Sequence, residues 1–175
     1  CLVVGNDIGI SCKTHDDEGA SVTIDHVTVA GNRIGVESRN RDDEDDAEIN
    51  YHISNSIIRP GEGAGAAAIR TDYDPAFFTI GYCNLAQELE GAGGGNNLFT
   101  EPGFTDENGH DFRLSAGSLC IDAGDPESPP DPDGSRSDIG YIPYSLAPLE
   151  QSFLRGEASG DGSIDITDAV KILSY

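Results

Sequence analysis

The chain predicts an all-β solenoid. Three observations carry that expectation: short β-branched runs return at a spacing in the high twenties, Gly and Asn turns separate them, and no long helical pattern competes. The first repeat is the valine-rich run 22–30, a turn at Gly31-Asn32-Arg33, and a second strand over 34–39. The next is 49–58, a glycine-rich turn, and 66–71. A third begins at 77–85. Aligning Ile24, Ile53 and Ile80 gives steps of 29 and 27 residues. Aligning the second strands at Ile8, Ile34 and Ala67 gives steps of 26 and 33. One such coil cannot bury its apolar face alone, so stacking must supply a continuous core. Each coil is expected to hold two strands, the first of them running unbroken through 22–30, 49–58 and 77–85. His26 and His52 fall inside these runs and read as structural histidines.

Composition narrows the function classes. The formal charge is −22, with only 10 Lys and Arg among 175 residues. Phosphate binding needs clustered basic residues, so nucleic acid is excluded as a partner, and an anionic membrane surface is disfavoured for the same reason. No run of 18 apolar residues exists, so no membrane span is expected. Cys1–Val4 reads as the inside of a strand, so the natural N-terminus is expected upstream. The four cysteines show neither C-x-x-C nor metal-ligand spacing. Cys12, Cys83 and Cys120 lie in strand-like runs and are expected as small buried hydrophobes.

The last twenty residues carry the sharpest motif. Glu157, Ser159, Asp161, Asp165 and Asp168 occupy positions 1, 3, 5, 9 and 12 of an EF-hand loop, and Gly162 holds position 6. Ser163 would supply its backbone carbonyl at position 7. Calcium takes six to eight oxygens, and carboxylates offset its dehydration, so the expected cofactor is Ca²⁺. A helix begins at Ala169 in this reading. Asp131, Asp133 and Asp138 form a second, weaker metal candidate, against which stands an ordinary turn with Asp side chains bonding their own backbone.

Acidic stretches follow each second strand: 15–18, 41–46 and 72–74. In a parallel solenoid they leave one edge, with neighbouring coils about 4.8 Å apart. Two charges near 5 Å repel by about 0.8 kcal/mol even in bulk water, so the edge either splays into solvent or takes up cations. Arg39 and Arg70 end equivalent second strands and are the candidate catalytic residues if the chain has a catalytic site.

The stretches 27–38, 53–58 and 96–104 resemble coils of right-handed parallel β-helix proteins of the pectate-lyase-like kind. The segments 111–125 and 131–140 are similar to the C-terminal closing segment of that group, and the resemblance covers roughly 5–144. It implies a right-handed parallel β-helix in a secreted bacterial protein associated with carbohydrate. In that group lyases use stacked Asp with calcium to hold an acidic sugar, and often Arg or Lys as the base. The tail from Phe153 resembles one half of a type I dockerin, with Glu157 and Ser159 departing from its usual Asp and Asn or Asp. That likeness implies calcium-dependent attachment to a cohesin-type or cell-surface partner, with Ile166 and Thr167 at the contacting pair. The expected organisation is therefore 1–144 β-helix and closing segment, 145–152 linker, and 153–175 truncated dockerin-like loop and helix. The expected role is a secreted, carbohydrate-associated protein outside the cell or on its surface. The alternatives are a polysaccharide lyase or hydrolase on an acidic glycan, and a surface adhesin or structural stalk.

Overall fold

The computed structural model describes residues 1–14, 20–40, 49–71, 78–90 and 94–144. All of them fall in one unit, Cys1–Tyr144. The linker and dockerin-like tail (145–175) and the acidic stretches 15–18, 41–46 and 72–74 lie outside the described residues.

Ten strands build three parallel sheets. They are β1 (Leu2–Val4), β2 (Ile8–Thr14), β3 (Ala20–Asp25), β4 (Thr28–Asn32), β5 (Ile34–Asn40), β6 (Ile49–Ser54), β7 (Ile57–Pro60), β8 (Ala67–Thr71), β9 (Phe78–Gly81) and β10 (Asn84–Leu85). The sheets run β1-β4-β7-β10, β2-β5-β8 and β3-β6-β9. Successive strands visit the three sheets in turn, so the chain winds as a three-sided solenoid. The register pairs Ile24 with Ile53 and Ile53 with Ile80, and Ile8 with Ile34 and Ile34 with Ala67. Both alignments expected from the sequence are therefore the ladders of the fold.

Each coil holds three strands, not two. The runs 22–30, 49–58 and 77–85 each break at a corner, where His26, Asn55 and Tyr82 take φ values of 49°, 47° and 54°. A left-handed residue turns the chain sharply without a loop. The break leaves no gap in the apolar pattern, because the strand that follows is buried on both faces and reads as a continuous hydrophobic run. His26 is consequently a corner residue, whereas His52 lies on β6 and is exposed.

The interior is made of columns. Ile24, Ile53 and Ile80 form one; Val29, Ile58 and Leu85 form another. Tyr51 and Phe78 stack between coils with ring centroids 4.6 Å apart and planes 8° from parallel. Gly35 sits where β5 passes closest to its neighbours: an added Cβ would meet Ala68 O at 2.5 Å and Ile58 Cγ2 at 3.1 Å. Cys83 and Cys120 are buried and Cys12 is partly buried; all four cysteines are free. Burial pushes the Cys83 thiol up to about 12, which leaves it protonated and inert.

After the coils come a single turn of 3-10 helix at Gln87–Leu89 and an antiparallel hairpin, β11 (Phe104–Asp106) and β12 (Asp111–Leu114). Residues 115–144 then run without strands along the flank of the solenoid. They cover the outer face of β4-β7-β10, where Thr28, Ile57 and Asn84 are in register and fully buried. Ile57 packs there with Leu114, Cys120 and Ile139, in a second core separate from the interior one. The closing segment thus seals a side of the solenoid.

Truncating Ile57 tests that double-sided burial. Ile57→Ala is expected to cost about 2–5 kcal/mol in urea unfolding, as for an interior core residue. Thr79→Ala, at an exposed position of β9, is expected to stay within about 0.5 kcal/mol of the parent.

Candidate functional site

Arg39 and Arg70 do come together, and Glu37 joins them. Glu37 on β5 is in register with Arg70 on β8, and Arg39 lies two residues farther along β5. The Glu37 side chain is fully covered, while Arg39 and Arg70 keep 46% and 35% of theirs exposed. Glu37 Oε1 accepts from Arg39 Nη2 at 3.0 Å and from Arg70 Nε at 3.0 Å, and Arg70 Nη2 also donates to it. Glu37 Oε2 is buried with no hydrogen-bond partner among the described residues. Burial pushes this carboxyl up, but the two guanidinium groups outweigh it and hold the net value below the usual carboxylate range. Glu37 therefore stays ionised, and the cluster carries one net positive charge on an acidic protein. A guanidinium group can take a carboxylate by charge-assisted hydrogen bonds, and both of these side chains are partly exposed.

The cluster lies near the C-terminal ends of β5 and β8. Connections leave the sheet β2-β5-β8 there and return at the sheet β3-β6-β9. The three acidic stretches belong to these connections. A second ion pair lies across another corner, where Arg33 donates to Asp7 through Nε at 2.5 Å and Nη2 at 2.8 Å. Beside it Asn32 Oδ1 accepts from Asn6 N at 2.9 Å, one coil below, in a short asparagine ladder.

The left-handed corner gathers a group that the sequence did not announce. His26 Nδ1 lies 3.0 Å from Asp25 Oδ2, and His26 Nε2 lies 3.3 Å from Ser137 Oγ. The order Asp-His-Ser is that of a nucleophilic relay. The chemistry does not follow, because Ser137, itself in the closing segment, is only 1% exposed. Asp25 is also shared: its Oδ1 accepts from Ser54 Oγ at 2.7 Å and Asn55 Nδ2 at 2.9 Å. Burial pushes the Asp25 carboxyl up, and the hydrogen bonds from Ser54, His26 and Asn55 bring it below its usual range. Residues 111 positions apart give no local signal of such a meeting.

Asp131, Asp133 and Asp138 serve the turns of the closing segment. Asp133 Oδ1 accepts from Ser135 N at 3.0 Å and Ser135 Oγ at 2.6 Å, an Asx turn. Asp131 Oδ2 accepts from Asp138 N at 3.0 Å, and Asp138 Oδ1 from Asp122 N at 2.7 Å. Among the described residues, no group of three or more His, Cys, Asp or Glu is placed to hold a metal ion. Glu157, Ser159, Asp161, Ser163, Asp165 and Asp168 lie outside the described residues. No helix among the described residues is long and apolar enough to cross a membrane. No family model, curated protein or solved structure matches the chain.

Replacing Glu37 by Gln leaves both arginines without their counter-charge in a covered site. A loss of about 1–3 kcal/mol is expected in urea unfolding, discounted from a fully buried pair because the arginines are partly exposed. Arg39→Ala, the more exposed partner, should cost about 1 kcal/mol or less.

The carboxylates also set a pH profile. Asp25 and Glu37 have lowered values, so their stabilisation is present above the unfolded carboxylate value and is lost as pH falls through the folded ones. Asp131 and Asp138 go the other way. Burial raises both, and Asp138 raises Asp131 further, so their contribution is complete below the unfolded value and is lost as pH rises through the folded ones. The urea midpoint is therefore expected to fall as pH drops below the usual carboxylate range, and to lose the Asp131 and Asp138 contribution as pH rises above it. A midpoint that rises steadily to pH 8 would contradict this assignment.

Proposed function

We propose that the chain is an extracellular, carbohydrate-associated solenoid that holds acidic glycan along the edge carrying Arg39 and Arg70, and that residues 153–175 attach it to a partner in a calcium-dependent way. The observation that carries the reading is the Glu37 cluster. Two arginines from neighbouring coils are fixed by one buried carboxylate, each with part of its side chain open to solvent. Fixed donors lose little freedom when a sugar carboxylate arrives, and bidentate geometry suits that partner. In a strongly negative chain the paired arginines are a selective place for an anion, and calcium would bridge the acidic stretches of the same edge to that ligand. For the tail, the support is the ligand register of Glu157, Ser159, Asp161, Ser163, Asp165 and Asp168.

The rival reading is an eliminase using Arg39 or Arg70 as base. The ion pairing disfavours it, since both guanidinium groups are engaged as charged donors to Glu37. Titration calorimetry with polygalacturonate and alginate oligosaccharides, with and without calcium, tests the choice. Binding is expected, at least tenfold weaker in Arg39→Ala/Arg70→Ala, with no new absorbance from unsaturated products. Product formation abolished in that variant would establish the eliminase; binding indifferent to both arginines would overturn the site. Calcium uptake by the whole chain should fall in Asp161→Ala/Asp168→Ala.

A further inference from the structure

We propose that the closing segment, residues 115–144, is a strap that makes the three coils open as one unit. A solenoid is ordinarily coupled only between neighbours, so its terminal coils fray independently. Here one segment reaches three successive coils, those that follow the turn formed by β1 and β2, along a single face. On the first coil (β3–β5), Ser137 Oγ meets His26 Nε2 at 3.3 Å, and Tyr141 N donates to Thr28 Oγ1 at 3.1 Å. On the second (β6–β8), Asn55 accepts from Asp125 N through its side chain at 2.6 Å and from Gly140 N through its backbone carbonyl at 2.8 Å. Its Nδ2 donates to Ser128 Oγ at 2.9 Å. On the third, which begins with β9 and β10, Asn84 Nδ2 lies 3.5 Å from Cys120 Sγ, and the Arg136 guanidinium sits 5.7 Å from the centre of the Tyr82 ring.

The strap can transmit this coupling because it is tied to itself. Asp138 Oδ1 accepts from Asp122 N at 2.7 Å, and Asp138 Oδ2 accepts from Tyr144 N. Gly124 N donates to Ser137 O at 2.7 Å, and Arg136 Nε donates to Gly124 O at 2.6 Å. A segment so cross-linked moves as a body. It is also held close to the sheet: a Cβ on Gly140 would meet Ile57 Cδ1 at 3.2 Å and Thr28 Oγ1 at 3.3 Å, and its φ of 131° belongs to glycine. Lifting it from one coil therefore strains its hold on the other two and uncovers Ile57. This assigns the Asp25–His26–Ser137 group a fastening role.

Three equivalent amides report directly. Thr28 N, Ile57 N and Asn84 N each donate to the preceding coil, to Cys1 O, Val27 O and Ser56 O at 2.9 Å. In native-state hydrogen exchange, the three are expected to share one opening free energy and one denaturant dependence. Protection graded from coil to coil in the parent protein would overturn the proposal. Asp138→Ala cuts two of the strap's internal ties and leaves the contacts to the coils named above in place. It is expected to separate the Thr28, Ile57 and Asn84 protection factors by at least tenfold; protections that fall together or do not move would overturn the strap. If that variant fails to fold, Ser137→Ala supplies the test, with Thr28 expected to lose protection at least threefold more than Asn84, and an equal loss or none counting against it.

Discussion

The sheet β4-β7-β10 is buried on both faces, and the rest of the unit depends on that. Inward, Val29, Ile58 and Leu85 fill the interior; outward, Thr28, Ile57 and Asn84 are sealed by residues 115–144. A three-sided coil of this size has a thin interior, and a fully buried aliphatic side chain contributes about 1.5–3 kcal/mol. A second apolar layer outside one sheet adds Ile57, Leu114, Cys120 and Ile139 to the buried set. It also explains why a segment without strands is ordered: its backbone groups are satisfied by the corner of the solenoid and by its own carboxylates.

The corner gives the closing segment its anchoring points. Left-handed φ at His26, Asn55 and Tyr82 turns the chain between two sheets and presents three stacked side chains at one edge. Asn tolerates that conformation readily; His and Tyr do so at some cost. The cost is offset because each of these side chains meets the closing segment: His26 through Ser137, Asn55 through Asp125 and Ser128, Tyr82 through Arg136. Local strain and long-range docking are thus one arrangement.

Much of this was legible in the sequence. Period and register were readable because β-branched columns repeat at the inward positions, and Ile24, Ile53 and Ile80 align on sight. The third strand of each coil was not, because alternation is the cue that marks a strand, and a strand buried on both faces has none. The corner residues were hidden for a related reason: His26 and Tyr82 are not residues that announce a turn, unlike Gly31 or Asn32. At the candidate site, equivalent placement of Arg39 and Arg70 followed from the coil alignment. Glu37 did not stand out, because one Glu in an acidic chain carries no signal, and only the register with Arg70 shows what it faces. The Asp25–His26–Ser137 meeting depends on the path of the closing segment, which no local pattern specifies.

Glu37 also bears on what the edge is for. Covering a carboxylate is costly, and a hydrophobic residue of similar volume is often as stable as a buried ion pair or more so. The strand does not require an acid there: its register partner one coil earlier is Ser11. Nor do the arginines need the carboxylate for solubility, since the chain already carries a large excess of acids. Stability alone therefore gives no reason for the Glu37 cluster. Orientation does. Without Glu37 the two guanidinium groups would sample many rotamers in a field of negative charge and fold toward the nearest acidic side chain. With it, both are fixed at one end of the sheet. An arrangement that costs desolvation and returns directed, partly exposed side chains is what the proposed role of this edge in holding an anion calls for.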